Sequence, residues 1–495
     1  MALRMTKTDF QNYRVCPAYG WTAQHRPHDL PPTTDPMEQW RARFGNEVDA
    51  LAREVLPGGV LIDALDMDVA VEQTLNAIER GVTRIYQGTF ITDEGFLARA
   101  DILDLRRDGW TLIEVKSSSV GEDGKVDRDH LWDAAFQREV IERVGLPVAR
   151  VVLLLLNKGY VRGATLDVSH LLVEVDVTDK VQALAADLHV EMGAHHAALH
   201  QEAPPACQCA RKTKGNWCPV RTAAVDPRGT IYEIPWIRAK QVEAFLDRGW
   251  MWLEDVDDTS LLNDQMLAGF ENLLLTEEHI DLPQLRAFLE GISYPVHFLD
   301  YETVVMPIPR FRNVRPNAQD PFQFSLHVEE IDTAWHVEFL HEDPTLAHAP
   351  RWLAALQRVI GNMGSVVVWN ASFERSRNRE MAERYPEYAT FLLGLNDRMI
   401  DLMDVVTKRM YVSPAFRGSA SLKVVQPVLA PALDYSDLWV GDGSGAQAAW
   451  LEAMLPETTH ARRNTLFSAL RTYCGYDTEV MVVIWKRLRE IAGLR

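Results

Sequence analysis

At 495 residues the chain is too long for a single hydrophobic core, so two or three domains are expected. Hydrophobic content of 47% and charged content of 24% are ordinary for a globular protein, while a net charge of −19 argues against coating nucleic acid through broad basic surface. The first residues carry no apolar signal-peptide core, and the longest apolar run, 151–156, is too short to span a bilayer. A cytoplasmic protein without a membrane partner is expected.

The chain opens on Thr6-Lys7-Thr8-Asp9, a capping pattern, then a short helix carrying Tyr13 and Cys16 and stopped by Pro17. A Pro-rich loop fills 27–36. Trp40, Phe44, Val48, Leu51 and Val55 recur at helical spacing, which predicts an amphipathic helix over 38–56 with Glu47 and Asp49 on its other side. A second helix is expected over 68–85. Two apolar runs, 96–105 and 110–115, flank the turn Arg106-Arg107-Asp108-Gly109 and predict a β-hairpin. Asp101 lies in its first strand; Glu114 and Lys116, two apart on the second, share a sheet face. Carboxylates converging with lysine suit a metal-dependent phosphodiester hydrolase, the acids holding Mg²⁺ or Mn²⁺ and the lysine orienting water or stabilising charge. A helix over 129–144 carries Gln137, and a buried strand follows over 149–156.

Cys207, Cys209 and Cys218 cluster in a polar, Pro-flanked segment, with Cys16 remote in sequence. Four thiolates suit a tetrahedral zinc or a 4Fe–4S cluster; Cys474 reads as a small buried residue. Residues 223–290 read as a helical connector without site chemistry. From 291 a second α/β pattern begins. A strand near 295–299 ends in Asp300-Tyr301-Glu302, two more strands follow over 321–328 and 335–341, and a helix over 351–362. A strand over 365–369 runs into Asn370 and a helix with Glu374. A final helix carries Tyr473 and, one turn on, Asp477. No GxxxxGK[ST] phosphate loop occurs, which argues against an ATP-driven motor in this chain.

Asp101, Glu114-Val115-Lys116 and Gln137 resemble the PD-(D/E)XK pattern of RecB and the CRISPR-associated RecB-like exonucleases. Cys16, the core, then Cys207, Cys209 and Cys218 repeat the order in which those proteins hold an iron–sulfur cluster. The resemblance implies that Asp101 and Glu114 bind metal, that Lys116 assists catalysis, and that Gln137 positions Lys116 or the phosphate. It also implies that a 4Fe–4S cluster, with zinc as the alternative, staples the chain's start to the flank of the core. Two departures stand out. Where many relatives carry histidine this chain has Glu47 and Asp49, with Glu47 the preferred ligand and Asp49 second. Ile141 replaces the tyrosine that usually follows the glutamine.

The order Asp300-x-Glu302, Asn370-x-x-Phe373-Glu374, Tyr473-x-x-x-Asp477 resembles the DEDD exonucleases of the ribonuclease H-like fold. There four acids bind two metals and a tyrosine positions the attacking water. Glu374 stands where aspartate is usual, with Asp401 and Asp404, expected at i,i+3 on a helix, as substitutes. Arg310, Arg312 and Arg315 beside Phe311, together with Asn370 and Lys423, are candidate nucleic-acid contacts.

The expected architecture is therefore α/β. A PD-(D/E)XK restriction-endonuclease-like domain over 1–222 is followed by the connector over 223–290 and a ribonuclease H-like domain over 291–495. This arrangement resembles a bacterial family of uncharacterised proteins. It implies a metal-dependent nuclease acting on DNA ahead of RNA, in repair, recombination or defence, with a helicase as possible partner. The alternative is a nucleic-acid-binding scaffold with one or both centres inactive.

Overall fold

The computed structural model describes residues 3–32, 35–207, 212–213, 216–224, 226–344, 347–436 and 438–494. The architecture is mixed α/β, and the chain divides into two compact units. The first comprises Met1–Thr34, Arg41–Pro227 and Met306–Asn317; the second comprises Asp35–Trp40, Arg228–Val305 and Ala318–Arg495. No helix among the described residues is long and apolar enough to cross a membrane.

In the first unit, helix α1 (Lys7–Val15) starts at a capping box in which the Thr6 side chain and Asp9 satisfy each other's backbone N–H groups. Helix α2 (Glu38–Val55) buries Phe44, Val48 and Ala52. Helix α3 (Met67–Glu79) ends at Arg80, followed by Gly81 at φ +74°, a conformation that suits glycine. The expected helix over 68–85 therefore stops early. The chain turns into β1 (Arg84–Ile91), whose first two residues lie inside the expected helix.

β2 (Phe96–Arg106) and β3 (Gly109–Val120) form the expected hairpin, Arg106 pairing with Gly109. Helix α4 (Arg128–Arg143) precedes β4 (Val148–Asn157), which lies parallel to β3, and β5 (Leu172–Asp176) closes that side antiparallel. Helix α5 (Ala185–Leu199) packs on α1 through Met192, Leu188 and His195. Residues 306–317 belong here as well: Asn317 Nδ2 donates to Ser117 O at 2.9 Å and Ser119 Oγ at 2.8 Å.

In the second unit, the stretch read as a connector is part of the fold from Arg228 onward. Helix α6 (Leu282–Glu290) buries Leu285 and Leu289 in the same core as Val296, Phe298 and Trp485. The five-stranded sheet has β6 (Val296–Val305) at its centre. β7 (Gln319–Glu329) and then β8 (Ala334–Leu340) lie antiparallel on one side. Following helix α7 (His348–Val359), β9 (Ser365–Val368) is parallel to β6 on the other side.

Helix α8 (Ala371–Arg384) leads to β10 (Met399–Asp401), parallel to β9. Helices α9 (Leu422–Leu429) and α10 (Gly443–Ala453) precede the 32-residue α11 (His460–Ile491). Alternation along β6 sorts its side chains. Leu299 and Tyr301 join the cluster around Trp352, and Val296 and Phe298 meet Trp485 of α11. Asp300 and Glu302 continue the Phe298 row and so also face α11.

Candidate functional site

Three groups of side chains converge. In the first unit the β2–β3 ladder runs from Arg106/Gly109 to Ile102/Ile113. There the Asp101 carboxylate takes the place of a backbone acceptor, Oδ2 receiving the Val115 N–H at 2.9 Å. Glu114, fully buried, is surrounded by donors. Lys7 Nζ lies 2.5 Å and Lys116 Nζ 3.0 Å from Oε1, and Gln137 Nε2 donates to Oε2 at 2.7 Å. Lys116 is held in turn by Asp133 Oδ2 at 2.6 Å.

Burial pushes Glu114 upward, but the ammoniums of Lys7 and Lys116 outweigh it and hold the carboxyl well below its ordinary range. Asp101 goes the other way, raised by burial and then by the negative charge of Glu114. The sequence reading thus brought Asp101, Glu114, Lys116 and Gln137 to one place.

It preferred the wrong face of α2. Asp49 is the acid raised by burial and by the charge of Glu114, and it in turn raises Asp101. Glu47 turns to Arg43 at 3.6 Å and Arg310 at 3.5 Å. Positions two apart on a helix diverge by about 200°, so only one of the pair faces the centre. Arg310 and the exposed Arg312 belong to the first unit. Lys7 and Asp133 went unnoticed: Lys7 meets Glu114 across 107 positions of sequence, and its only local mark is a capping box.

Near that unit's C-terminal flank, Cys16 Sγ lies 3.5 Å from Cys207 Sγ, which lies 3.8 Å from Cys218 Sγ. Cys16 ends α1 and Cys218 precedes a helix over Pro219–Ala224. Thiolates about 2.3 Å from one tetrahedral ion stand roughly 3.8 Å apart, so these three residues fit a thiolate-held metal. Cys209 lies outside the described residues.

In the second unit Asp300, Glu302 and Asp477 bring carboxylate oxygens within 4.8 Å of one another. No lysine or arginine forms an ion pair with them among the described residues. Burial, then the charge of Asp477, pushes Asp300 up to about 7; burial raises Asp477 to about 6 against the Tyr435 hydroxyl, the Lys423 ammonium and Tyr473. Glu302 is raised by burial and by Asp300. The oxygens of this trio suit a divalent cation, which would replace the protons that burial otherwise favours.

Glu374 is 2% exposed, its Oε2 has no hydrogen-bond partner among the described residues, and burial and Asp300 raise it. An orphaned buried oxygen beside Asp300 fits a fourth acid of this group. Asp401 does not substitute for it. Its carboxylate accepts the N–H groups of Asn370 at 2.9 Å and Ala371 at 2.8 Å, which anchors the start of α8. Nor do Asp401 and Asp404 share a helix: one ends β10 and the other pairs with Lys408 at 2.8 Å.

Tyr473, nearly buried and raised by burial and Asp477, remains a neutral phenol. Tyr435, which the sequence reading missed, donates to Asp477 Oδ1 at 2.5 Å, and Cys474 Sγ donates to Asp300 Oδ2 at 3.4 Å. Lys423 Nζ lies 5.4 Å from the Tyr473 ring and 5.7 Å from the Tyr435 ring, and donates to Gly441 O. Asn370 is exposed, at φ +72°, its side chain accepting the Ser372 hydroxyl at 2.7 Å.

Comparison with known proteins adds two partial matches. Residues 297–421 match the family described as a domain of unknown function (DUF2779). The match covers Asp300, Glu302 and Glu374 and stops before Lys423, Tyr473 and Asp477. Over 136 residues the chain is 29% identical to the uncharacterized protein UU173 of Ureaplasma parvum serovar 3, a span of 24% of this chain and 20% of that relative. The chain thus matches about a fifth of the relative's length. Neither description names an activity, so the chemistry of the sites carries the functional reading.

Proposed function

We propose that this protein is a metal-dependent nuclease, an exonuclease on DNA, with its principal centre at Asp300, Glu302, Glu374 and Asp477. The observation that carries the reading is the convergence of Asp300, Glu302 and Asp477 oxygens within 4.8 Å without an ion-paired cation among the described residues. Mg²⁺ or Mn²⁺ bound there would supply activated water and neutralise charge on the phosphodiester.

The chain's own residues do the rest. Tyr473 offers a phenol hydrogen bond to hold the attacking water. Tyr435 and Cys474 orient Asp477 and Asp300 by their hydrogen bonds. Lys423, beside both tyrosine rings, supplies a positive charge for the phosphate. In the first unit Asp101, Glu114, Asp49 and Lys116 form a second, PD-(D/E)XK-type centre, with Gln137 fixing the Glu114 carboxylate. The two units accordingly read as PD-(D/E)XK and ribonuclease H-like folds. DNA repair, recombination or defence are the settings such chemistry serves.

The cysteines form a structural metal site, iron–sulfur or zinc. Anaerobically purified protein with broad visible absorption and bound iron supports a cluster, whereas colourless protein with bound zinc supports a single ion. Absence of both metals from folded protein contradicts either.

The function is tested with end-labelled single- and double-stranded DNA and RNA, with Mn²⁺ or with chelator. Progressive shortening of DNA that requires Mn²⁺ and is reduced by Asp300→Asn is expected. Intact substrates after incubation with folded, Mn²⁺-loaded protein would overturn the reading.

A further inference from the structure

Glu114 has three donors, and they differ in how firmly they are held. Gln137 sits in the body of α4 and occupies Oε2 alone. Lys116 shares its ammonium between Glu114 and Asp133. Lys7 has Glu114 as its one ion-pair partner among the described residues, at 2.5 Å, and its side chain is 32% exposed against 0% for Glu114.

The backbone under Lys7 is nonetheless fixed from three directions. Met5–Thr6 pairs in parallel with Phe96–Leu97 at the start of β2, the strand that carries Asp101. The Thr6–Asp9 capping box sets Lys7 as the first residue of α1. Phe10 and Tyr13 of that helix are fully buried. A partly exposed ammonium on a fixed backbone lies against the acid that the centre needs for its metal.

We propose that Lys7 is the resident counter-ion of the first centre: a positioning residue that holds Glu114 in place and must be displaced for a divalent cation to bind. This rests on the metal-centre reading of Asp101 and Glu114. One positive charge cannot share Oε1 with a divalent cation without strong repulsion, so Lys7 and the metal compete for that oxygen. Removing an ordinary structural lysine would weaken metal binding or leave it unchanged. Removing a competitor tightens it.

The test is a Mn²⁺ titration read by electron paramagnetic resonance, on protein carrying Asp300→Asn so that the second unit's acids contribute less. Lys7→Gln, which keeps a hydrogen-bonding side chain without charge, is compared with Lys7→Arg and Glu114→Gln. Far-UV circular dichroism checks that each is folded.

The expected result is Mn²⁺ binding that Glu114→Gln abolishes, that Lys7→Gln tightens about tenfold, and that Lys7→Arg leaves near the parent value. Glu114-dependent binding that Lys7→Gln weakens or leaves unchanged overturns the role of Lys7 while the metal centre stands. Absence of Glu114-dependent binding in both the parent and Lys7→Gln overturns the metal centre itself.

Discussion

The two acidic centres use the same kinds of side chain and treat them in opposite ways. In the first, Glu114 is buried beside two lysines and is held ionised well below its ordinary range. In the second, half-buried Asp300 and buried Asp477 lie among other acids and are pushed up to about 7 and about 6. One centre carries its neutralising charge in the chain; among the described residues the other has no ion-paired lysine or arginine. Burial alone does not decide whether a carboxyl is charged. The nearest charges decide it.

The largest effect that sharpens this contrast is expected from Asp300→Asn, which on the proposed reading removes a metal ligand. Cleavage that depends on the second unit should fall by about 10³-fold or more, in a single-turnover assay with end-labelled DNA. Lys116→Ala comes next. It should lower Glu114-dependent cleavage by about 10²–10³-fold. It also takes one counter-ion from a buried carboxylate, so chemical denaturation should show a loss of about 3 kcal/mol.

The pH dependence of stability should separate the centres without any substrate. Because Asp300 and Asp477 have raised values in the folded state, the native protein holds those protons more tightly than the unfolded chain. Their contribution is present at low pH and is lost as pH rises from about 4 through 7. Metal-free Asp300→Asn should therefore gain about 1–3 kcal/mol on wild type at pH 8 and little at pH 4, by urea unfolding. Glu114, depressed in the folded state, works the other way. Its contribution is complete above the ordinary carboxylate range and disappears as acid protonates it. A Glu114→Gln protein that shows its largest deficit at acid pH would break the comparison.

The smallest effect belongs to Tyr435→Phe, which removes one hydrogen bond to Asp477. A fall of about three- to tenfold in Mn²⁺ affinity at the second unit is expected, measured by calorimetry, with little change in fold stability.

What the sequence made legible follows from the range of the interactions. The hairpin, and with it Asp101, Glu114 and Lys116, could be read because period-2 alternation and a four-residue turn are local signals. Asp300 and Glu302 share a face for the same reason, and Tyr473 and Asp477 lie one helical turn apart.

Lys7 and Tyr435 were not legible, since they reach Glu114 and Asp477 across 107 and 42 positions with no periodic mark. The choice between Glu47 and Asp49 turned on which side of α2 meets the sheet, which depends on packing absent from the helix's own pattern. Asp401 was misplaced because the strand ends there and the helix restarts at Asp404, so an apparent i,i+3 pair straddles an element boundary. The expected helix over 68–85 runs past Gly81, whose positive φ ends it, into the first two residues of the strand Arg84–Ile91.

The most direct test of a two-centre metal-dependent nuclease compares four proteins on one substrate set: wild type, Lys116→Ala, Asp300→Asn and the double variant, each with Mn²⁺ and end-labelled single- and double-stranded DNA. The account predicts different residual products from the two single variants and none from the double variant. Undiminished cleavage by the folded double variant would contradict it.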